Sequence, residues 1–326
     1  MVVDDTKASL ERVLAALTAG EPAQAPMAGV TPPGSPGAHT PVAPLAPPAP
    51  PQPSEPFGAA SGEARLEVWY QPKIDIKQRC LAGAEAFARI RDPEKGVPLA
   101  AGLVPGMGDE IVARFTEQAL LTVLRDWALF DEAGFNLRLA INVPVNLLDR
   151  LPVDKIVTEN RPKAEYWPGL IVEVTEDQIV RDIRRSQEIA AKLRVSGISV
   201  AIDDFGAGYS SFSSLRELSF AELKLNSSFV KGSAGDPTNA AICQTAIDLA
   251  HRFGSAAVAE GIETVADLQA MQIMGCDFGQ GHLIAPAMPM QDFMALLQQR
   301  MNKPKAQPAD VAPVEASEPA RTAASA

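Results

Sequence analysis

The chain has 326 residues, a formal charge of −11 and 46% hydrophobic residues, enough apolar material for one large folded domain with unstructured ends. The acidic balance excludes a broad cationic face for gripping duplex nucleic acid, so an anionic ligand must be held locally by metal ions or a few placed Arg and Lys. Cys80, Cys243 and Cys276 lack the spacing of a zinc site or redox pair and read as free thiols of a reducing cytoplasm.

The chain opens MVVDDTKASLERVL, charged early and without the apolar run of a signal peptide. No stretch reaches the length that crosses a bilayer, so a cytoplasmic protein without membrane insertion is expected. Leu10, Val13, Leu14 and Leu17 recur at helical spacing, which predicts a short amphipathic helix within residues 1–20. Residues 21–62 turn Pro/Ala-rich and predict an extended, semi-stiff linker, either a plain spacer or a docking site for a protein partner. Residues 302–326, rich in Ala, Pro and Ser, predict a disordered tail.

Between 63 and 301 short β-type apolar runs alternate with longer helical patterns, the texture of a parallel α/β domain. The predicted strands are EVWYQPK, LAGAEAFARI, LRLAIN, LIVEV, SVAID, ELKLN, AAVAE and DFGQGHL. Helices are predicted through Ile111, Phe115, Ala119, Val123 and Trp127, and through Ile242, Ala246, Leu249 and Phe253. Thr264 with Asp267 reads as a capping box, and Gly197 and Gly254 stand where helices should stop. Eight strands with intervening helices predict a TIM-type (β/α)8-like barrel.

Polar residues fall where such strands end: Glu85, Asn142, Glu173, Asp203, Lys224, Glu260 and Gln280. In this architecture the C-terminal strand ends converge on one mouth, and a charge there is costly unless paired or bound to metal. Crowded carboxylates imply a hard, oxygen-preferring cation such as Mg²⁺ or Mn²⁺. The adjacent Asp203 and Asp204 could serve two ions, an arrangement suited to in-line attack on a phosphodiester, with Lys224 orienting water or offsetting developing charge.

At these residues the chain resembles the EAL family of bacterial enzymes that linearise cyclic di-GMP to pGpG. The resemblance runs from Tyr70 to Leu297 on YQPKID, EAFAR, AIN, EVTE, DDFGAGYSS, LKLN, AEGIET and GCDFGQG. It implies Glu85, Asn142, Glu173 and Asp203 as ligands of one metal, and Asp203 and Asp204 at a second, supported by Glu260. It also implies Lys224, Glu260 and Gln280 as catalytic groups around the attacking water, Arg89 as a substrate-phosphate ligand, and Glu176 as the acid that steadies the loop after Asp204. A homodimer is implied as well, since family members couple that loop to dimerisation.

The sequence departs from the family pattern at Phe87, Ala88, Ile90, Pro144, Asn226, His282 and Pro286, and the segment Val97–Thr116 is about five residues short. The metal positions are filled while the substrate periphery differs. Three outcomes stay open: a phosphodiesterase for cyclic di-GMP, a catalytically weak or inactive module acting as its receptor or as a protein-interaction domain, and a phosphodiesterase for another dinucleotide.

Overall fold

A computed structural model describes residues 65–91, 98–100, 108–148, 150–206 and 218–301. The expected N-terminal helix, the linker and the C-terminal tail lie outside the described residues.

All eight expected strands form. They are β1 (Arg65–Asp75), β2 (Cys80–Arg91), β4 (Arg138–Asn142), β5 (Leu170–Thr175), β6 (Ile198–Phe205), β7 (Glu222–Leu225), β8 (Ala256–Ala259) and β9 (Phe278–Gly279). Short β3 (Pro98–Ala100) and β10 (Met288–Pro289) add to the sheet outside the ring. The order β1-β9-β8-β7-β6-β5-β4-β2 returns to β1 through a β1–β2 pairing, which closes the barrel.

One strand departs from the expected parallel pattern. β1 runs antiparallel to both its neighbours, β2 and β9, while the other seven are parallel. The cause is chain length: only a turn at 76–79 separates β1 from β2, and a parallel connection needs a crossover of a dozen residues or more. With no helix between these strands, the outer face of β1 is covered by α1 (Asp109–Glu132) and by a helix that follows much later in the chain, Met290–Met301. The Tyr70 ring packs at 5.3 Å from Phe130 and 5.6 Å from Phe293, and its hydroxyl donates to the buried Asp126 at 2.8 Å.

The remaining helices, in chain order, are α2 (Val145–Leu148), α3 (Val153–Asn160), α4 (Glu176–Arg181), α5 (Ile183–Val195), α6 (Ser227–Val230), α7 (Pro237–Arg252), α8 (Val265–Ile273) and α9, the Met290–Met301 helix. Thr264 caps α8 as its sequence implied, accepting from the Asp267 amide while its hydroxyl donates to the Asp267 carboxylate. Gly197 and Gly254 end α5 and α7 with φ of 75° and 73°, the left-handed conformation that glycine adopts without a Cβ clash.

Inside the barrel Ala140, Ile171 and Ala201 form a small apolar cluster separate from the main core. Elsewhere in the interior, Lys73 of β1 reaches across to Glu222 of β7 and donates to both carboxylate oxygens, at 2.7 and 2.8 Å. Each residue is 3% exposed. Removing one partner strands a buried charge, whereas replacing both removes the desolvation cost along with the attraction. Glu222→Gln or Lys73→Met should therefore destabilise the domain by about 3–5 kcal/mol, and Lys73→Met/Glu222→Leu should recover most of that loss. Urea unfolding of the three variants beside the parent chain measures the difference.

Candidate metal centre at the barrel mouth

Side chains two residues apart on a strand share a face, which places Glu85, Asn142, Glu173, Asp203, Lys224, Glu260 and Gln280 together where the parallel strands end. Glu260 and Gln280 stand one residue beyond β8 and β9, carried over the rim. At the centre is Lys224, 1% exposed. Its Nζ lies 2.7 Å from Glu173, 2.7 Å from Glu260, 3.0 Å from Asp203 and 3.2 Å from Glu85. The Asn142 amide donates to Glu85 at 2.7 Å and to Glu173 at 3.3 Å. Gln280 donates to Glu85 at 2.6 Å and to Gln71 at 3.1 Å, while its own Oε1 is buried without a partner.

β6 brings two consecutive carboxylates to this mouth through a bulge. Ile202 pairs with Leu223, but Phe205 pairs with Leu225, so Asp203 and Asp204 together oppose the single residue Lys224. The extra residue adopts the left-handed conformation, with φ of 57° at Asp204, a region that Asp enters more readily than most residues. Regular pleating would send the two side chains to opposite faces. Here the carboxylate oxygens of Asp203, Asp204 and Glu260 come within 4.8 Å of one another, a spacing able to hold a cation.

Burial, with the neighbouring Glu85 charge, pushes Glu173 well above the usual carboxylate range. Burial likewise raises Asp203, against the pull of Lys224, and raises Glu260 to about 7. Burial also acts to raise Glu85, but the Lys224 charge and hydrogen bonds from Glu173, Gln280 and Lys224 outweigh it and hold this carboxyl low. Lys224 is raised well above its ordinary value because the carboxylates, Glu173 foremost, outweigh its desolvation. Without added metal the rim therefore carries a fixed ammonium and retained protons.

The donor set suits a hard divalent cation. It consists of carboxylate and amide oxygens, with the unpartnered Gln280 Oε1 beside them, and it contains no thiolate or imidazole.

The other expected site residues stand around this centre. Glu176, at the start of α4, accepts the Gly206 amide at 2.9 Å and so ties down the first residue after β6. Gly206 has φ of 97°, and a Cβ there would come within 2.9 Å of the Phe229 ring. Asn226, two residues beyond Lys224, stands just past the end of β7 and caps α6. Its Nδ2 donates to Asp204 at 2.9 Å and its Oδ1 accepts the Ser228 amide at the start of α6. Arg89 lies farther out on β2, against Trp69 and Phe87, away from the ring of carboxylates around Lys224.

Sequence reading passed over Gln71, Lys73 and Glu222. Gln71 links Gln280 to the Ala285 carbonyl, and the other two form the ion pair below the mouth. Their signal was available, since Gln71 and Lys73 alternate on one strand as Glu222 and Lys224 do on another. What pairs with what depended on closure of the ring.

The fold and the mouth together define a closed α/β barrel with an acidic rim at its strand ends, spaced to hold a cation. Comparison with known proteins gives the family: the EAL domain model matches residues 59–287, and the chain belongs to the EAL domain family. The cyclic di-GMP phosphodiesterase PA2567 of Pseudomonas aeruginosa is 35% identical over 244 residues, 72% of this chain and 40% of that protein. The cyclic di-GMP phosphodiesterase RocR of the same organism is 30% identical over 239 residues, 73% of this chain and 60% of that protein. The chain thus spans less than two thirds of either relative. Among solved structures, the PaMucR phosphodiesterase in complex with c-di-GMP superposes with a TM-score of 0.63 at 29% identity, covering 70% of this chain and 94% of that one. The calcium/cyclic di-GMP complex of Klebsiella pneumoniae BlrP1 gives 0.61 at 25% identity, covering 69% of this chain and 56% of that one.

Two outcomes check this electrostatic picture. Glu260, raised in the folded state to about 7 from 4.5, stabilises the metal-free fold fully below pH 4.5, and its contribution is lost as pH rises through 7. A divalent cation replaces the protons, so Mn²⁺ should raise Tm more at pH 8 than at pH 5.5 by thermal denaturation. Asn226→Asp would set a second carboxylate against Asp204. It should lower the metal-free Tm and bring the half-saturating Mn²⁺ concentration down about tenfold, roughly 1.4 kcal/mol, in a thermal-shift titration.

Proposed function

We propose that this chain is a metal-dependent phosphodiesterase that hydrolyses cyclic di-GMP to linear pGpG in bacterial second-messenger signalling. The observation that carries this reading is the buried Lys224 ammonium ringed by Glu85, Glu173, Asp203 and Glu260 beside the bulged Asp204. The relatives named cyclic di-GMP phosphodiesterases and the neighbours solved with that nucleotide favour the same substrate.

In this reading Glu85, Asn142, Glu173 and Asp203 would hold one Mg²⁺ or Mn²⁺, and Asp203, Asp204 and Glu260 a second. Such ions, when bound, supply an activated water and charge neutralisation at the phosphodiester. The protein's own groups orient and offset. Arg89 presents a guanidinium to a substrate phosphate, and Lys224 stays charged to counter negative charge gathering at phosphorus. Gln280 orients Glu85 through its 2.6 Å bond and, with Glu260, borders the water's position, while Glu176 keeps the segment after Asp204 in place through Gly206.

The same reading proposes a cytoplasmic homodimer whose barrel domain, 63–301, follows the amphipathic helix at 1–20 and the linker at 21–62, with a protein partner docking on either. Among the described residues no helix is long and apolar enough to cross a membrane. A receptor without hydrolysis is the second reading, favoured by the amide of Asn226 where the family motif carries a carboxylate.

Incubation with cyclic di-GMP decides between them. Mn²⁺ should yield pGpG and Ca²⁺ should permit binding with little cleavage, because the larger ion accepts looser coordination and acidifies water less. Glu85→Ala and Asp203→Ala should each lower turnover more than about 100-fold, beyond the loss expected for an outer-shell partner, while leaving the far-ultraviolet circular dichroism unchanged. Nucleotide binding without product in any ion would make the chain a receptor.

A further inference from the structure

β1 and β2 pair in register beyond the catalytic layer. Gln71 stands opposite Glu85, Trp69 opposite Phe87 and Glu67 opposite Arg89. By the two-residue period all six side chains lie on one face of the hairpin. Glu85 belongs to the mouth, and Arg89 stands about 13 Å farther along β2 at roughly 3.3 Å per residue, on the side toward which the parallel strands end. The Arg89 guanidinium carbon lies 5.9 Å from the Trp69 ring centroid and 5.6 Å from that of Phe87. The Trp69 indole N–H is taken up by Glu67 at 3.2 Å, which orients that ring. The Arg89 Nε is buried and has no hydrogen-bond partner.

A flexible arginine with a carboxylate residue, Glu67, opposite it on the neighbouring strand would ordinarily fold onto that acid. Two aromatic faces offer an alternative that attracts the cation without using its N–H groups, because the ring quadrupole acts on the face of the guanidinium. The edge donors stay available to an incoming oxyanion, with the buried Nε–H the most in need of one. Much of the side-chain ordering that phosphate binding requires is then already in place before the ligand arrives.

We infer that Trp69 and Phe87 form an aromatic clamp that holds Arg89 ready for a substrate phosphate, and that both are positioning residues for affinity. Phe87 is a particular feature of this chain, since the EAL motif has leucine there. The clamp supplies purchase on the ligand at a rim that otherwise departs from the family pattern. The inference rests on the phosphate-binding role proposed for Arg89.

The test uses the full metal-loaded chain with cyclic di-GMP. Five forms are compared: parent, Phe87→Leu, Phe87→Tyr, Arg89→Ala, and the Phe87→Leu/Arg89→Ala pair. KM and kcat are measured with Mn²⁺, and binding is measured calorimetrically with Ca²⁺. Phe87→Leu should raise KM about three- to tenfold, within the range of a partly desolvated cation–π contact, with kcat held within a factor of two or so. Phe87→Tyr keeps the ring and should behave as the parent, a rescue that a merely structural role would not single out. In the Arg89→Ala background Phe87→Leu should add nothing, because the clamp acts through the arginine.

An undiminished effect of Phe87→Leu in that background would overturn the inference by placing the ring against the ligand itself. An unchanged KM in Phe87→Leu would overturn it equally. Failure of the parent chain to bind cyclic di-GMP would overturn the phosphodiesterase reading and the clamp's ligand role together, whereas parent binding with unresponsive clamp variants overturns the clamp alone.

Discussion

Lys224 buried among four carboxylates is the interaction on which the mouth of this barrel depends. A lone ammonium with 1% exposure would lose several kcal/mol of hydration. Partners at 2.7–3.2 Å on β2, β5, β6 and just past β8 offset that loss. The contacts to Glu85 on β2 and Glu173 on β5 also cross-link β7 to strands that are not its neighbours in the sheet. The ammonium thus orders the carboxylates into a constellation that a divalent cation can enter without first assembling it.

This crowding has a protonation consequence. Five carboxylates share the mouth with one ammonium, and burial pushes Glu173, Asp203 and Glu260 upward while Glu85 alone is held low. Protons and metal ions compete for one set of oxygens. The bulge at Asp203 and Asp204 adds the acid farthest from Lys224's reach, and the Asn226 amide, not a counter-charge, holds it in place. The substitution of amide for carboxylate at 226 therefore acts on the Asp204 side of the centre and leaves the lysine untouched.

The hairpin of β1 and β2 ties scaffold to site. Because β1 runs against the other strands, its two ends serve different layers. Lys73 meets Glu222 deep in the interior, Gln71 meets Gln280 at the mouth, and Trp69 meets Arg89 on the extension above it. A crossover helix between these strands would have separated those functions. α1 and α9 take over the covering role through Tyr70, Phe130 and Phe293.

The sequence by itself determined the eight strands, the caps at Thr264, Gly197 and Gly254, and the charged residues gathered at the mouth, though not Gln71 beside them. Each of these is written in local terms: apolar alternation, a capping pair, or a charge where a strand would otherwise carry Val or Ile. The antiparallel direction of β1 was also implicit, in the four-residue turn to β2, although the alternating texture suggested a uniform parallel barrel. Only the tertiary structure decided which charges meet, because ring closure places Lys73 against Glu222 across the interior and sets four carboxylates around Lys224. It alone aimed Asp203 and Asp204 to one side, since a one-residue bulge depends on register with β7 and leaves no mark in the spacing of β6. It alone brought Trp69 to Phe87 and Arg89, because cross-strand register, and not the two-residue spacing that already puts Phe87 and Arg89 on one face, fixes which residue stands opposite Phe87.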